Sequence, residues 1–170
     1  ILAMIQDYRT RSGKTVYYAA TLYIGYESFE TATDASVAEL ITNRSWSTPK
    51  VTGDEYATGT KSVVFHEPYV YVFIPINKAL LTPGTVYEFS MDWKLNETGS
   101  SSKISKLAFV GYNPSKGEKI DKEFINNSNG VYTYKDNIAA TGDWVHTTLR
   151  FGNSDYNACE QFGIMLRYSY

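Results

Sequence analysis

The sequence predicts an all-β chain, an antiparallel β-sandwich of the jelly-roll kind, and three observations carry that expectation. Short runs rich in β-branched and aromatic residues recur along most of the 170 residues, separated by turn signals such as TPG at 82–84. Fifteen Tyr, eight Phe and three Trp supply flat, large side chains that suit a pleated surface. One run, YVYVFIPI at 69–76, alternates cleanly: Val70, Val72, Ile74 and Ile76 fall on one face, Tyr69, Tyr71 and Phe73 on the other.

Taken in order, residues 1–13 read as a lead-in or terminal strand closing in a polar RTRSG turn, and 14–170 as a single sandwich domain. KTVYYAATLYI at 14–24 alternates as a strand and leads into GYESFE at 25–30. DASVAELI at 34–41 is the one expected helix, with Asp34 as its cap. A polar loop, SWSTPKVTGDEYATG at 45–59, carries Trp46 and several turn residues. Strands follow at 61–66, 69–76, 85–95 and 103–112. After a long polar loop containing Gly117 come strands at 131–134, 144–151 and 162–170. There is no internal repeat and no stretch of linker composition.

Several function classes recede on composition. A net charge of -2 lacks the basic surface a nucleic-acid binder uses. No apolar run approaches the roughly 20 residues of a membrane helix. The single Cys159 gives no intrachain disulfide and no paired-cysteine zinc site, and His66 and His146 offer little for a triad or a histidine-rich metal centre. The start at Ile1 suggests an excised module or a processed chain. Asn43, Asn96 and Asn126 stand in N-x-S/T patterns, which are common by chance.

Strand phases then sort the faces. Tyr87, Phe89, Met91 and Trp93 point inward, with Glu88, Ser90, Asp92 and Lys94 opposite. Val145, Thr147, Leu149 and Phe151 share the inner phase of the next-to-last strand; Phe162, Ile164 and Leu166 share that of the last, leaving Met165 and Arg167 across from them. The outer phases collect Tyr69, Tyr71, Glu88, Asp92, His146, Arg150 and Arg167. Aromatic faces beside planar hydrogen-bonding groups suit a sugar chain, whose rings present C–H surfaces and whose hydroxyls both donate and accept. Two readings stay open for Tyr69 and Tyr71: an exposed sugar platform, or a layer buried beneath the N-terminal segment or a loop. Trp46 either contacts a ligand or plugs one end of the sandwich. Tyr112, before Asn113 and Pro114, is a contact candidate of the same kind, and Tyr132 and Tyr134 share one strand face and are ambiguous.

Four stretches occur in an order found in known modules. GYESFE resembles a "GFES" opening strand, YATGTKSVVF an "hSGxxSLxv" strand, LLTPGTVYEFSMDWK an "LxPGxxYxFSxxxK" strand, and TGDWVHTTLRF an "xGxWxxxxxxF" strand. Together they span residues 25–151, and the chain resembles the β-sandwich carbohydrate-binding modules with a galactose-binding-like jelly roll, of the type of families four, nine and twenty-two. The resemblance implies a non-catalytic, extracellular or cell-surface module in a larger multidomain protein, binding a polysaccharide and targeting an attached enzyme or scaffold. It implies Trp144 as a structural residue and allows one structural calcium, with Glu27 at the matching acidic position. The acidic "D-D-V" element that often closes such modules is absent, the sequence ending YSY at 168–170; residues 14–24 are expected to fill that place in the sheet.

The expected binding residues are therefore Trp46, Tyr69, Tyr71, Asp92, Tyr112, Arg150 and Arg167, with Glu27 as the metal candidate and no catalytic residue. Plant cell-wall polysaccharides of the β-glucan or xylan type come first as ligand, starch-like α-glucans next. Two rival classes remain: a surface adhesion or structural domain that binds protein or host glycan and, less expected, a glycosidase or lyase. For the last, Glu88 and Asp92 stand four residues apart on one strand, about 14 Å between Cα atoms, where glycoside hydrolysis asks for carboxylates about 5–10 Å apart.

Overall fold

Ten residues, Lys103–Tyr112, form a strand that is buried almost end to end, and the layers of the molecule are built around it. The computed structural model describes residues 29–42, 48–65, 71–95, 101–152 and 155–169. In chain order they form α1 (Asp34–Leu40), β1 (Lys50–Thr52), β2 (Ser62–Val64), β3 (Tyr71–Pro75), β4 (Tyr87–Trp93), β5 (Lys103–Tyr112), α2 (Lys122–Asn126), β6 (Val131–Ala139), β7 (Val145–Phe151) and β8 (Gln161–Ser169). Among the described residues every strand pair is antiparallel. One sheet runs β3-β8-β5-β6, and two smaller ones pair β4 with β7 and β1 with β2. The expected all-β sandwich is what forms.

The main core lies between the four-stranded sheet and the β4–β7 pair. Leu107 and Phe109 of β5 and Ile164 of β8 meet Leu149 and Phe151 of β7 there, with Val72 of β3 and Trp93 of β4. Its centre is aromatic: Phe109 and Phe151 stack at 5.1 Å between centroids, and Phe162 lies 5.0 Å from Phe151. The inward phase assigned to Tyr87, Phe89, Met91 and Trp93 is borne out, and so is that of Val145, Thr147, Leu149 and Phe151. Trp93 Nε1 donates to Thr147 Oγ1 at 2.8 Å, so the one polar atom of that indole is satisfied inside the core.

A second apolar layer covers the opposite face of the same sheet. Phe73, Ala108, Val110, Tyr112 and Met165 pack there beneath Ile120, Phe124 and Ile125. This corrects the view of β8: Met165 does lie across from the core phase, yet it is fully buried. It also explains β5, whose near-continuous apolar run KISKLAFVGY belongs to a strand covered on both sides.

Four further departures from expectation have local causes. Helix α1 is capped by Thr33 rather than Asp34. The Thr33 hydroxyl accepts from Ser36 N and the Ser36 hydroxyl accepts from Thr33 N, while Asp34 accepts from Val51 N at 2.8 Å. β1 and α2 arise in segments read as loops; α2 is only five residues long, started by Asp121, whose carboxylate accepts from Phe124 N at 2.9 Å. β6, at the sheet edge among the described residues, continues past Tyr134 to Ala139 because its backbone bonds to β5 suffice there and it can carry Lys135, Asp136 and Asn137 outward. Tyr132 and Tyr134 take opposite faces: the register shift beside Phe109 and Val110 turns Tyr132 onto Phe151 and Phe162, and Tyr134 stays opposite Ala108.

Two of the resembling stretches meet at Glu30, the last residue of GYESFE. Its carboxylate accepts from Thr60 N at 2.8 Å, Thr60 Oγ1 at 2.6 Å and Lys61 N at 3.2 Å, fastening the turn that feeds β2. The Thr60 hydroxyl bond, more than any other cause, holds the Glu30 carboxyl below its ordinary pKa. The stretch at 14–24, expected to complete a sheet, lies outside the described residues.

Candidate functional site

Strand register draws one row of polar and aromatic side chains across the outer face of the four-stranded sheet. Tyr71 of β3 stands opposite Arg167 of β8, Arg167 opposite Lys106 of β5, and Lys106 opposite Asp136 of β6. Three strand spacings make the row about 14 Å long. In the next row Phe73, Met165 and Ala108 are sealed, and Tyr134 ends it at the open edge with 49% of its surface exposed.

Helix α2 and the turn after it set the boundary between the sealed and open parts. Phe124 and Ile125 cover the apolar row, while Asn126 and Ser128 reach the polar one. Asn126 Oδ1 accepts from Arg167 Nη1, and Ser128 Oγ takes a hydrogen bond from Lys106 Nζ at 2.6 Å. The Lys106 ammonium also lies 4.4 Å from the centre of the Tyr134 ring. Gly130, at φ +63°, makes the return into β6; a Cβ there would meet the carbonyl oxygen of Gly111 at 2.1 Å, so the tight approach of this turn to β5 requires glycine.

At the Tyr71 end the row opens into a cleft of about 380 Å³, walled by Pro114, Glu118, Lys119 and Asp121 and floored by Tyr112. Burial, and secondarily the charge of Asp121, raise the Tyr71 hydroxyl above its ordinary pKa, so it is a neutral donor and acceptor near neutral pH. Glu118 is engaged by Asn113 N at 2.7 Å and Asp121 caps α2, which fixes the wall. The face thus presents one half-buried and one exposed tyrosine, two cations and the Asp136 carboxylate, unpaired among the described residues, at fixed spacing. That set can grip a flat ligand bearing hydroxyls, through ring contact and oriented hydrogen bonds.

The expected site residues do not all gather here. Tyr71 and Arg167 do. Asp92 and Arg150 lie on the outer face of the β4–β7 pair, away from Tyr71, because the inner phases of the two sheets face each other; Arg150 and Glu88 nevertheless share a hollow of about 350 Å³ with Tyr134 at the β6 margin. There Arg150 Nε donates to Glu88 at 2.8 Å, and Asp92 lies 2.8 Å from His146 Nδ1, in a ladder completed by Ser90 and Thr148. The single outer face assembled from strand phases is therefore two faces. Tyr112 is 4% exposed and packs edge-on against Phe73 and Phe124, so it closes the loop onto the sheet and meets the cleft only as its floor. Trp46, Tyr69 and Glu27 lie outside the described residues.

Lys106 and Asp136 join the site without having been picked out, and Tyr134 joins it from the ambiguous tyrosines. Lys106 interrupts an otherwise apolar stretch of β5, and the alternation of β6 past Tyr134 would have placed Asp136 on the face of Tyr134. Among the described residues no three His, Cys, Asp or Glu side chains converge as metal donors, and no helix is long and apolar enough to cross a membrane.

No family model matches the chain, and no curated protein matches it in sequence. Solved structures do match in shape. The C-terminal family 22 carbohydrate-binding module of Clostridium thermocellum Xyn10B, in a study of amino acids in its ligand-binding cleft, is 16% identical, with a TM-score of 0.57 over 87% of this chain and 85% of that one. The N-terminal tandem of two family 22 modules from Paenibacillus barcinonensis Xyn10C is 15% identical, with a TM-score of 0.52 over 89% of this chain and 46% of the tandem. The fold is that of these modules.

Proposed function

We propose that this chain is a non-catalytic polysaccharide-binding module whose ligand lies along the Tyr71–Arg167–Lys106–Asp136 row. The observation that carries the reading is the row itself: aromatic, cationic and acidic side chains held at strand spacing on an open sheet face, leading into a cleft. The fold shared with carbohydrate-binding modules, one of them studied for ligand binding in its cleft, supports it. Plant cell-wall polysaccharides of the xylan or β-glucan type are the first ligands to test. The module would act outside the cell within a larger protein, keeping an attached enzyme or scaffold near its polymer and raising its effective concentration there.

The rival catalytic reading finds little support. Glu88 and Asp92 are each held by a cationic or imidazole partner on an exposed face, away from the cleft. The calcium that the resemblance allows rests on Glu27 alone, which lies outside the described residues. Affinity electrophoresis against soluble xylans, β-glucans and starch tests the proposal. Retardation in at least one gel is expected; free migration in all of them overturns it.

A further inference from the structure

Resting on that reading, we propose that the site is selective for acidic polysaccharides, with a uronate carboxylate seated on Arg167 and Lys106. The two cations are direct cross-strand partners on β8 and β5, an arrangement that costs stability when nothing offsets it. Lys106 is largely buried at 9% exposure, and neither side chain is ion-paired to a carboxylate among the described residues.

What holds them is neutral. Arg167 donates to the amide oxygen of Asn126, and Lys106 donates to the Ser128 hydroxyl and rests against the Tyr134 ring. Asp136, opposite Lys106 in register, makes no ion pair with it, and the acids nearest the Tyr71 end, Glu118 and Asp121, are engaged by Asn113 N and Phe124 N. Two pre-positioned cations thus retain unused charge in the middle of a row that begins at Tyr71, with Tyr134 beside them in the next row.

A planar guanidinium fork beside an ammonium matches a carboxylate, and partial burial spares the pair from full salt screening. A uronic acid within a sugar chain delivers that carboxylate while its neighbours lie along Tyr71 and Tyr134. A sulfate ester carries the same sign of charge, and the test separates the two.

The experiment is isothermal titration of the whole chain with three polymers: glucuronoxylan, the same glucuronoxylan after chemical reduction of its carboxyl groups, and a sulfated neutral xylan. The native polymer is expected to bind about ten-fold more tightly than the reduced one, the scale of one charge-assisted contact. That ratio should fall toward one in Arg167→Gln and in Lys106→Gln, each checked for unchanged folding by circular dichroism. Equal affinity for native and reduced polymer overturns the inference and leaves the polysaccharide reading intact. Preference for the sulfated polymer alone overturns the uronate assignment. No binding to any of the three or to β-glucan overturns both.

Discussion

Tyr71 stands directly across the β3–β8 pair from Arg167, and Arg167 is in turn tied to Asn126 at the end of α2. The ring that opens the cleft and the cation that follows it are therefore fixed by a sheet register and a helix end, not by a mobile loop. Such a site has little to reorganise on binding, and its affinity follows from what each side chain contributes.

Truncating the ring is the most direct probe. Tyr71→Ala and Tyr134→Ala should each weaken polysaccharide affinity by about 1 kcal/mol, roughly five-fold, the scale of a lost aromatic contact. Asp92→Ala and His146→Ala, on the outer face of the β4–β7 pair and lining neither hollow, should leave it unchanged. Titration of the four variants with one polymer locates the site, and a loss confined to the Asp92 and His146 variants would move it to the β4–β7 face.

The pairing of Trp93 with Thr147 predicts a stability cost with no binding readout. Thr147→Val keeps the shape of a nearly buried side chain but strands the indole N–H in the core. A loss of about 1–3 kcal/mol in urea unfolding is expected. No loss would mean that the indole finds another acceptor.

These residues also show how far the sequence could be read. Alternation placed Trp93, Leu149 and Phe151 inside and Glu88, Asp92 and Arg150 outside, because a strand with one face in the core records its orientation in every second residue. Alternation cannot say which exterior a residue belongs to. Tyr71 and Arg150 have the same kind of phase and lie on the outer faces of different sheets, a relation set by sheet pairing between distant segments. The described part of YVYVFIPI reads in the same terms. Phe73 is 1% exposed under α2, and Tyr71, at the margin of that cover, reaches the cleft. A five-residue helix with one capping aspartate leaves too faint a pattern to announce such cover in advance.

Tyr156 carries the opposite lesson from Trp93. Its ring is 1% exposed and packs against Phe151 and Phe162, and its hydroxyl has no hydrogen-bond partner among the described residues. A buried polar group without a partner is a net cost. Tyr156→Phe should therefore raise stability by about 1 kcal/mol, read as a higher urea midpoint at unchanged m-value. A drop would show that the hydroxyl is satisfied after all.

Acid stability should depend on Glu30. Its folded-state pKa lies below the ordinary 4.5 because the carboxylate accepts three hydrogen bonds from Thr60 and Lys61. A lowered folded pKa means that in the acid range the unfolded chain takes up a proton before the folded one does. The stabilisation is therefore fully present above pH 4.5 and is lost as pH falls through the folded value. Glu30→Gln should lower the melting temperature at pH 7 and narrow its gap to the wild type as pH drops toward 3. Melting curves of both proteins across that range decide the point: a gap that stays constant with pH would show that the carboxylate charge contributes nothing to fastening the turn before β2.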